Sequence, residues 1–352
     1  MVLILNSLLL LISFYLLAVV CDRYFVKSLD LIAKRLKMSS DMAGATFMAI
    51  GSSAPELFVA FIALFKPGNE AIGAGTIVGS ALFNILVIIG ATAVIKKAVI
   101  SWQPVIRDTL FYSLSIILLF LSFRDGVVSL KEAGLFVIVY LVYIVAVIKW
   151  RKIFPYKDVV SIVSEKKVEK KVKTKKNYFS IFLAAINSCL DFIFPKEKNY
   201  WLVFFVSIAA IGGLSWVLVE SAIVIAETLH IPSVIIALTV LAAGTSIPDL
   251  ISSVIVAKQG RGGMAISNAV GSNIFDILIG LGLPWLIVIA ISGKTVPVVT
   301  ANLESSIFLL FATVIAIIFL LFLRKWKIGR NSGLFLILMY LAYLVWAIMK
   351  LI

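Results

Sequence analysis

The sequence is poor in charge. Of 352 residues only 14% are Asp, Glu, Lys or Arg, while 62% are hydrophobic, and the mean hydropathy is +1.12. A soluble domain is about half apolar and about a quarter charged, so too few polar residues remain here to cover a soluble core. The chain reads as an all-α polytopic membrane protein. Histidine is limited to His230 and cysteine to Cys21 and Cys189. These exclude a His-rich metal site, a CxxC pair and a disulfide framework, and the two cysteines read as small apolar residues. Acids are also scarce, 18 against 32 Lys and Arg. The resulting charge of +14 is not a nucleic-acid footprint, because the cations lie between apolar runs and no basic groove with interleaved aromatics is visible. The run Val2 to Val20 lacks a basic leader and a small-residue cleavage site. It reads as a first membrane span that could double as a targeting signal.

What is present is a series of apolar runs near the roughly 20 residues a helix needs to cross hydrocarbon. Ten spans are predicted: 3–25, 41–65, 71–95, 106–123, 127–148, 200–228, 232–257, 264–291, 304–323 and 332–350. Alternate loops, starting after the first span, hold 27 of the 32 Lys and Arg. Cytoplasmic loops carry the basic excess, so both termini are expected outside and the central loop in the cytoplasm. That loop contains SEKKVEKKVKTKKN and reads as a solvated linker, with anionic lipid headgroups as the other surface it would suit. The chain therefore divides into residues 1–148, a basic linker 149–199, and residues 200–352, with five spans in each half.

The halves resemble each other. ATFMAIGSSAPELFVAFIA (45–63) aligns with LTVLAAGTSIPDLISSVIV (238–256), pairing Thr46 with Thr239, Gly51 with Gly244, Ser53 with Ser246, Pro55 with Pro248 and Glu56 with Asp249. GTIVGSALFNILVIIG (75–90) aligns with SNAVGSNIFDILIGLG (267–282), pairing Gly79 with Gly271, Ser80 with Ser272, Phe83 with Phe275 and Asn84 with Asp276. Units of five spans have opposite orientation, the inverted repeat of secondary transporters, whose substrates bind near the midplane. Close helix packing would explain Gly79 and Gly271. It does not explain why both copies keep proline followed by an acid.

Proline removes a backbone donor and clashes with the preceding turn. The carbonyls this frees are costly in hydrocarbon unless they line a cavity or find a new partner. Those of Ala49 and Ala242, about one turn before the prolines, are candidate ligands. A carboxylate at the bilayer centre costs about 3 kcal/mol on insertion scales. Glu56, Asp249 and Asp276 lie deep in spans with no Lys or Arg at matching depth, whereas Glu220 and Glu227 lie late in the long sixth span. Ser52, Ser53, Thr245 and Ser246 stand three or four positions before the acids and are expected on the same helical faces. Ser80 with Asn84, and Ser272 with Asp276, form i,i+4 pairs. Together they offer carboxylate, amide, hydroxyl and carbonyl oxygen. Such a cage suits Ca²⁺, or several Na⁺ ions, and the absence of soft ligands argues against Zn²⁺ or Cu⁺.

At AGATFMAIGSSAPELF, GTIVGSALFNILVIIG, LAAGTSIPDLISSVIVA and AVGSNIFDILIGLGLPW the chain resembles the alpha-1 and alpha-2 repeats of the cation/Ca²⁺ exchanger superfamily, and is most similar to the K⁺-dependent Na⁺/Ca²⁺ exchangers. VCDRYFVKSLDLIAKRL is similar to the segment entering the first repeat there. The strong match covers about 100 residues. It implies a ten-helix antiporter of the plasma membrane that exchanges Na⁺ for Ca²⁺ by alternating access. The core would hold the second, third, seventh and eighth spans, with the long first and sixth sliding across it. The resemblance implies that Glu56 and Asp249 are the paired Ca²⁺ carboxylates, that Ser53, Ser246, Asn84, Ser80 and Ser272 are polar ligands, and that Asp276 carries K⁺ dependence. The chain departs from animal members in its short central loop, with no acidic Ca²⁺-sensing domain. Three other classes are set against this reading. One is a Ca²⁺/H⁺ or other cation/H⁺ exchanger of the same fold, since membrane carboxylates also carry protons. Another is a cation channel. The third, an enzyme, is argued against by the absence of a nucleophile, an HExxH-like pair or a phosphate loop, and no cofactor is expected. Oligomeric state is not encoded in these patterns.

Overall fold

A computed structural model describes residues 2–35, 49–154, 188, 190–194, 199–258, 260, 262–298 and 304–349. Nine helices among them are long and apolar enough to cross a membrane: Val2–Phe25, Ala71–Ile95, Trp102–Ser122, Leu130–Trp150, Tyr200–Leu229, Ser233–Lys258, Gly262–Ser292, Ser305–Leu323 and Arg330–Met349. The expected second span, 41–65, is described only from Ala49 onward, as Ala49–Ser52 and Ala54–Ala63. Its first residues, Thr46 included, lie outside the described residues. So do Cys189 and most of the basic linker. The other span edges fall within five residues of those read from hydropathy, the helix expected to end at 148 running on to Ile153. The largest shift at a start is in Trp102–Ser122, which begins at Trp102 rather than 106.

Local chemistry sets several of these ends. Ser129 and Glu132 form a reciprocal capping box that starts the helix Leu130–Ile153: Ser129 N–H donates to Glu132 Oε2 at 2.8 Å and Glu132 N–H to Ser129 Oγ at 3.4 Å, satisfying donors the first turn would leave orphaned. The 30-residue helix Tyr200–Leu229 ends at His230, which adopts a left-handed φ of 58°. The single histidine thus terminates a helix.

Burial sorts the helices. Over an 18-residue window the buried share is 83%, 67% and 61% in Ala71–Ile95, Ser233–Lys258 and Gly262–Ser292, and half or less in the other long helices, among them Val2–Phe25 at 28% and Tyr200–Leu229 at 33%. The first three surround the molecular centre, and the last two form a flank. They pack on each other through Leu10, Phe14, Leu17, Ile211 and Leu218, an apolar cluster separate from the main core. Phe14 is wedged over Gly244 of the second proline motif, where any Cβ would collide with its ring. On Ala71–Ile95, Gly79 lies against the Leu238 carbonyl and Ala242, so a side chain there would force the two helices apart. Gly271, its partner in the repeat, meets only Tyr143 Oη at 3.7 Å, so close packing accounts for one of the two glycines and not both.

Two short antiparallel pairs join the loops. β1 (Ala98–Val99) pairs with β4 (Lys327–Ile328), and β2 (Val127–Val128) pairs with β3 (Val296–Pro297). Paired strands must share one side of a membrane. Six of the long apolar helices separate β1 from β4, and four separate β2 from β3. Both numbers are even, as a consistent threading requires. Each pair also joins one loop before residue 149 to one loop after residue 199, with the order of the loops reversed.

Candidate functional site

Both proline motifs interrupt a helix. The first breaks at Ser53, with φ −94° and ψ 5°, and the second at Ser246, with φ −81° and ψ 3°. Helix resumes at once, through Leu57 N–H to Ser53 O at 3.2 Å and Leu250 N–H to Ser246 O at 3.0 Å. Opposite these breaks, Asn84 and Asp276 each open a widened π-turn, Asn84–Ile88 and Asp276–Leu281. Such turns displace one residue from the regular ladder and recur at functional sites.

The breaks bring the two halves together. Glu56, Asp249, Asp276, Asn84, Ser53, Ser80, Ser246, Ser272 and Thr245 have no exposure at all, and Ser52 has 1%. Around Glu56, Ser246 Oγ donates to Oε1 at 3.3 Å and Ser80 Oγ at 3.4 Å. The two hydroxyls are themselves 2.6 Å apart. Around Asp249, Ser272 Oγ donates to Oδ1 at 3.1 Å and Asn84 Nδ2 to Oδ2 at 3.4 Å. Ser52 also lies against Asp249, Thr245 against Glu56 and Ser53 against Asp276.

This overturns one expectation. Hydroxyls three or four residues before each acid were placed on the same face as that acid, but they turn to the acid of the opposite half. The i,i+4 rule assumes a continuous helix, and the breaks at Ser53 and Ser246 lie between hydroxyl and acid. Ser80 and Ser272, on unbroken helices, do face the acid of their own half. The Ala242 carbonyl accepts from Ser246 N–H at 3.3 Å and Thr245 Oγ1 at 3.4 Å. Ala49 begins its short helix.

The pocket is under-supplied with donors. Glu56 Oε2, both carboxylate oxygens of Asp276, Asn84 Oδ1 and Ser53 Oγ are buried without a hydrogen-bond partner. Acceptors left bare in this way are costly. A carboxylate buried without a cation is costlier still. Among the described residues no three Asp, Glu, His or Cys side chains converge closely enough to cage a metal by themselves. An ion here would draw the rest of its shell from hydroxyl, amide and carbonyl oxygens, which hard cations accept.

Two groups of residues escaped the sequence reading. Asn273 donates to the Ala81 carbonyl at 3.1 Å and accepts from Asn84 Nδ2 at 2.9 Å. The signal was its place beside Ser272, where the other copy has Ala81. The other group is Arg107 and Asp108, at the start of the expected span 106–123 and not singled out from sequence. They sit inside the helix Trp102–Ser122, 4% and 1% exposed, as an ion pair of 2.7 Å that also receives Tyr143 Oη at 3.1 Å.

Residues 6–149 and 199–349 match the family model described as sodium/calcium exchanger protein. The chain is 28% identical to human sodium/potassium/calcium exchanger 4, over 96% of this chain and 79% of that protein. It is 32% identical to human sodium/potassium/calcium exchanger 5, over 93% and 79%. Among solved structures it is similar to the sodium-calcium exchanger NCX_Mj soaked with 2.5 mM Na⁺ and 0.1 mM Ca²⁺, with a TM-score of 0.60, 25% identity and coverage of 97% and 98% of the two chains. With the match spanning both copies of the acid-bearing motifs, the chain belongs to the sodium/calcium exchanger family.

Proposed function

We propose that the protein is a secondary antiporter that exchanges Na⁺ for Ca²⁺ across the plasma membrane by alternating access. The observation that carries this reading is the set of buried, unpartnered oxygens on Glu56, Asn84, Asp276 and Ser53, gathered from both halves with no basic side chain bonded to them. Ca²⁺ would neutralise Glu56 and Asp249 together, and Na⁺ ions would do so when it leaves. Ser53, Ser246, Ser80, Ser272, Asn84, Ser52 and Thr245, with the carbonyls of Ala49 and Ala242, would complete the shells. Asp276 would supply the charge for K⁺, in keeping with the sodium/potassium/calcium exchangers the chain resembles. An empty pocket would hold uncompensated carboxylates in low dielectric, which disfavours crossing without an ion and makes exchange obligatory.

The architecture proposed is ten helices in two inverted five-helix repeats, 1–148 and 200–352, joined by a cytoplasmic linker 149–199, with both termini outside. The β1–β4 and β2–β3 pairs support it, since a two-fold axis in the membrane plane would exchange them. The flank of Val2–Phe25 and Tyr200–Leu229 would move against the buried centre. The test is Ca²⁺ uptake into proteoliposomes with an imposed Na⁺ gradient. Uptake that follows the Na⁺ gradient and disappears in Glu56→Gln and Asp249→Asn is the expected result. Uptake that follows a pH gradient without Na⁺ would replace Na⁺ by H⁺ in this scheme.

A further inference from the structure

Asn84 brings an amide into a pocket of carboxylates and hydroxyls. An amide has an oxygen end and an NH₂ end of nearly equal shape, but only the oxygen attracts a cation. The orientation must therefore be held by neighbours whose polarity is fixed. One such neighbour is the Ala81 carbonyl, which can only accept. Asn273 Nδ2 donates to it at 3.1 Å, which turns Asn273 Oδ1 toward Asn84. Asn84 Nδ2 donates to that oxygen at 2.9 Å and directs its second hydrogen to Asp249 Oδ2 at 3.4 Å. Both Asn84 donor hydrogens are then used, and Asn84 Oδ1 remains buried and unpartnered.

We propose that Asn273 is a positioning residue for cation binding, relaying the polarity of the Ala81 carbonyl to Asn84 so that Oδ1 faces the ion. The inference rests on the reading of the Glu56–Asp249 pocket as a cation site. It also accounts for the two polar differences between GSALFN (79–84) and GSNIFD (271–276). Asp276 stands where the other copy has Asn84. A carboxylate presents an acceptor from either oxygen and needs no orienting partner, and the residue equivalent to Asn273 is Ala81, which lends only its backbone. The amide at 84 and the amide at 273 form one device, built across the two halves.

The test is a double-mutant cycle on the purified full-length protein. Ca²⁺ affinity is measured by titration calorimetry in wild type, Asn273→Ala, Asn84→Asp and the double variant, with the ion-free melting temperature of each. Loss of an outer partner of a metal ligand costs about tenfold or more in affinity. Asn273→Ala is expected to weaken Ca²⁺ by about that factor in wild type, and by less than about twofold once residue 84 is a carboxylate that needs no orienting. An equal loss in both backgrounds would mean that Asn273 only packs, and so would an unchanged affinity in wild type. Either result overturns the proposal. If Asn273→Ala does not fold, Asn273→Ser takes its place and is read by the same difference. A wild type that binds no Ca²⁺ would remove the cation-site reading as well. Ca²⁺ binding that is lost in Glu56→Gln, with equal Asn273 effects in both backgrounds, would remove this inference alone.

Discussion

The two halves of the molecule interrupt and widen their helices at matching positions and carry different charge. Each breaks a helix at a serine before Pro and an acid, and each opens a π-turn at the polar residue four positions after the serine of Gly-Ser. The likeness extends to the periphery. Tyr140 packs edge-on to Phe275 with centroids 5.6 Å apart, and Tyr340 packs edge-on to Phe83 at 5.4 Å. The charges do not follow. The first half has Glu56, Asn84 and the buried Arg107–Asp108 pair bonded to Tyr143. The second has Asp249, Asp276 and, beside Tyr343, the neutral Ser306. A shared scaffold can alternate between two related states, while unequal charge within it can tell ions apart. The difference between the halves is therefore where selectivity is expected to lie.

The strongest way to break the comparison is to remove one carboxylate of the central pair. Glu56→Gln or Asp249→Asn should lower Ca²⁺ flux in proteoliposomes about a thousandfold, the equivalent of about 4 kcal/mol, with little change in folded yield. Comparable residual flux in the two variants would show that the halves share the ion equally. Next in size is the charge that only the first half carries. Asp108→Asn removes the charge that faces Arg107 in a buried ion pair and should cost about 3 kcal/mol of stability, read as a lower midpoint of unfolding in detergent, whereas Ser306→Ala in the second half should cost about 1 kcal/mol or less. Asp276→Asn makes the two π-turns alike in charge. It should reduce the K⁺ stimulation of Ca²⁺ flux about tenfold, and K⁺ stimulation that survives unchanged would place K⁺ elsewhere. The smallest effect is expected at the flank. Lys66 lies 4.2 Å over the Trp216 ring and pairs with Glu220, tying the helix Tyr200–Leu229 to the turn after the first proline motif. Glu220 is 42% exposed, so Lys66→Met should change stability by about 1 kcal/mol or less, and its trace should be a shift in transport rate.

Much of the site was legible because a membrane makes polar residues conspicuous. Glu56, Asp249 and Asp276 stood out because each is expensive in hydrocarbon, and the prolines because each leaves carbonyls to be satisfied. Arg107 and Asp108 were not legible in the same way. An acid beside a base at the start of an apolar run marks no site by itself, and only packing against Tyr143 shows that both are buried. Asn273 was hidden for a different reason. Its partners are Ala81 and Asn84, far away in sequence and in the other half, and an isolated asparagine next to a serine carries no periodic signal.

Composition and spacing by themselves determined that this chain lives in a membrane, where its helices run, that its two halves repeat, and which three acids lie deep. These follow from bilayer thickness and from the cost of burying charge, which act locally along the chain. The tertiary structure decided who serves whom: Ser246 and Ser80 to Glu56, Ser272 and Asn84 to Asp249, Asn273 to Asn84. Hydrogen bonds between halves depend on the phase of each helix after its break, and a break at Ser53 or Ser246 resets that phase in a way no periodicity in the sequence records.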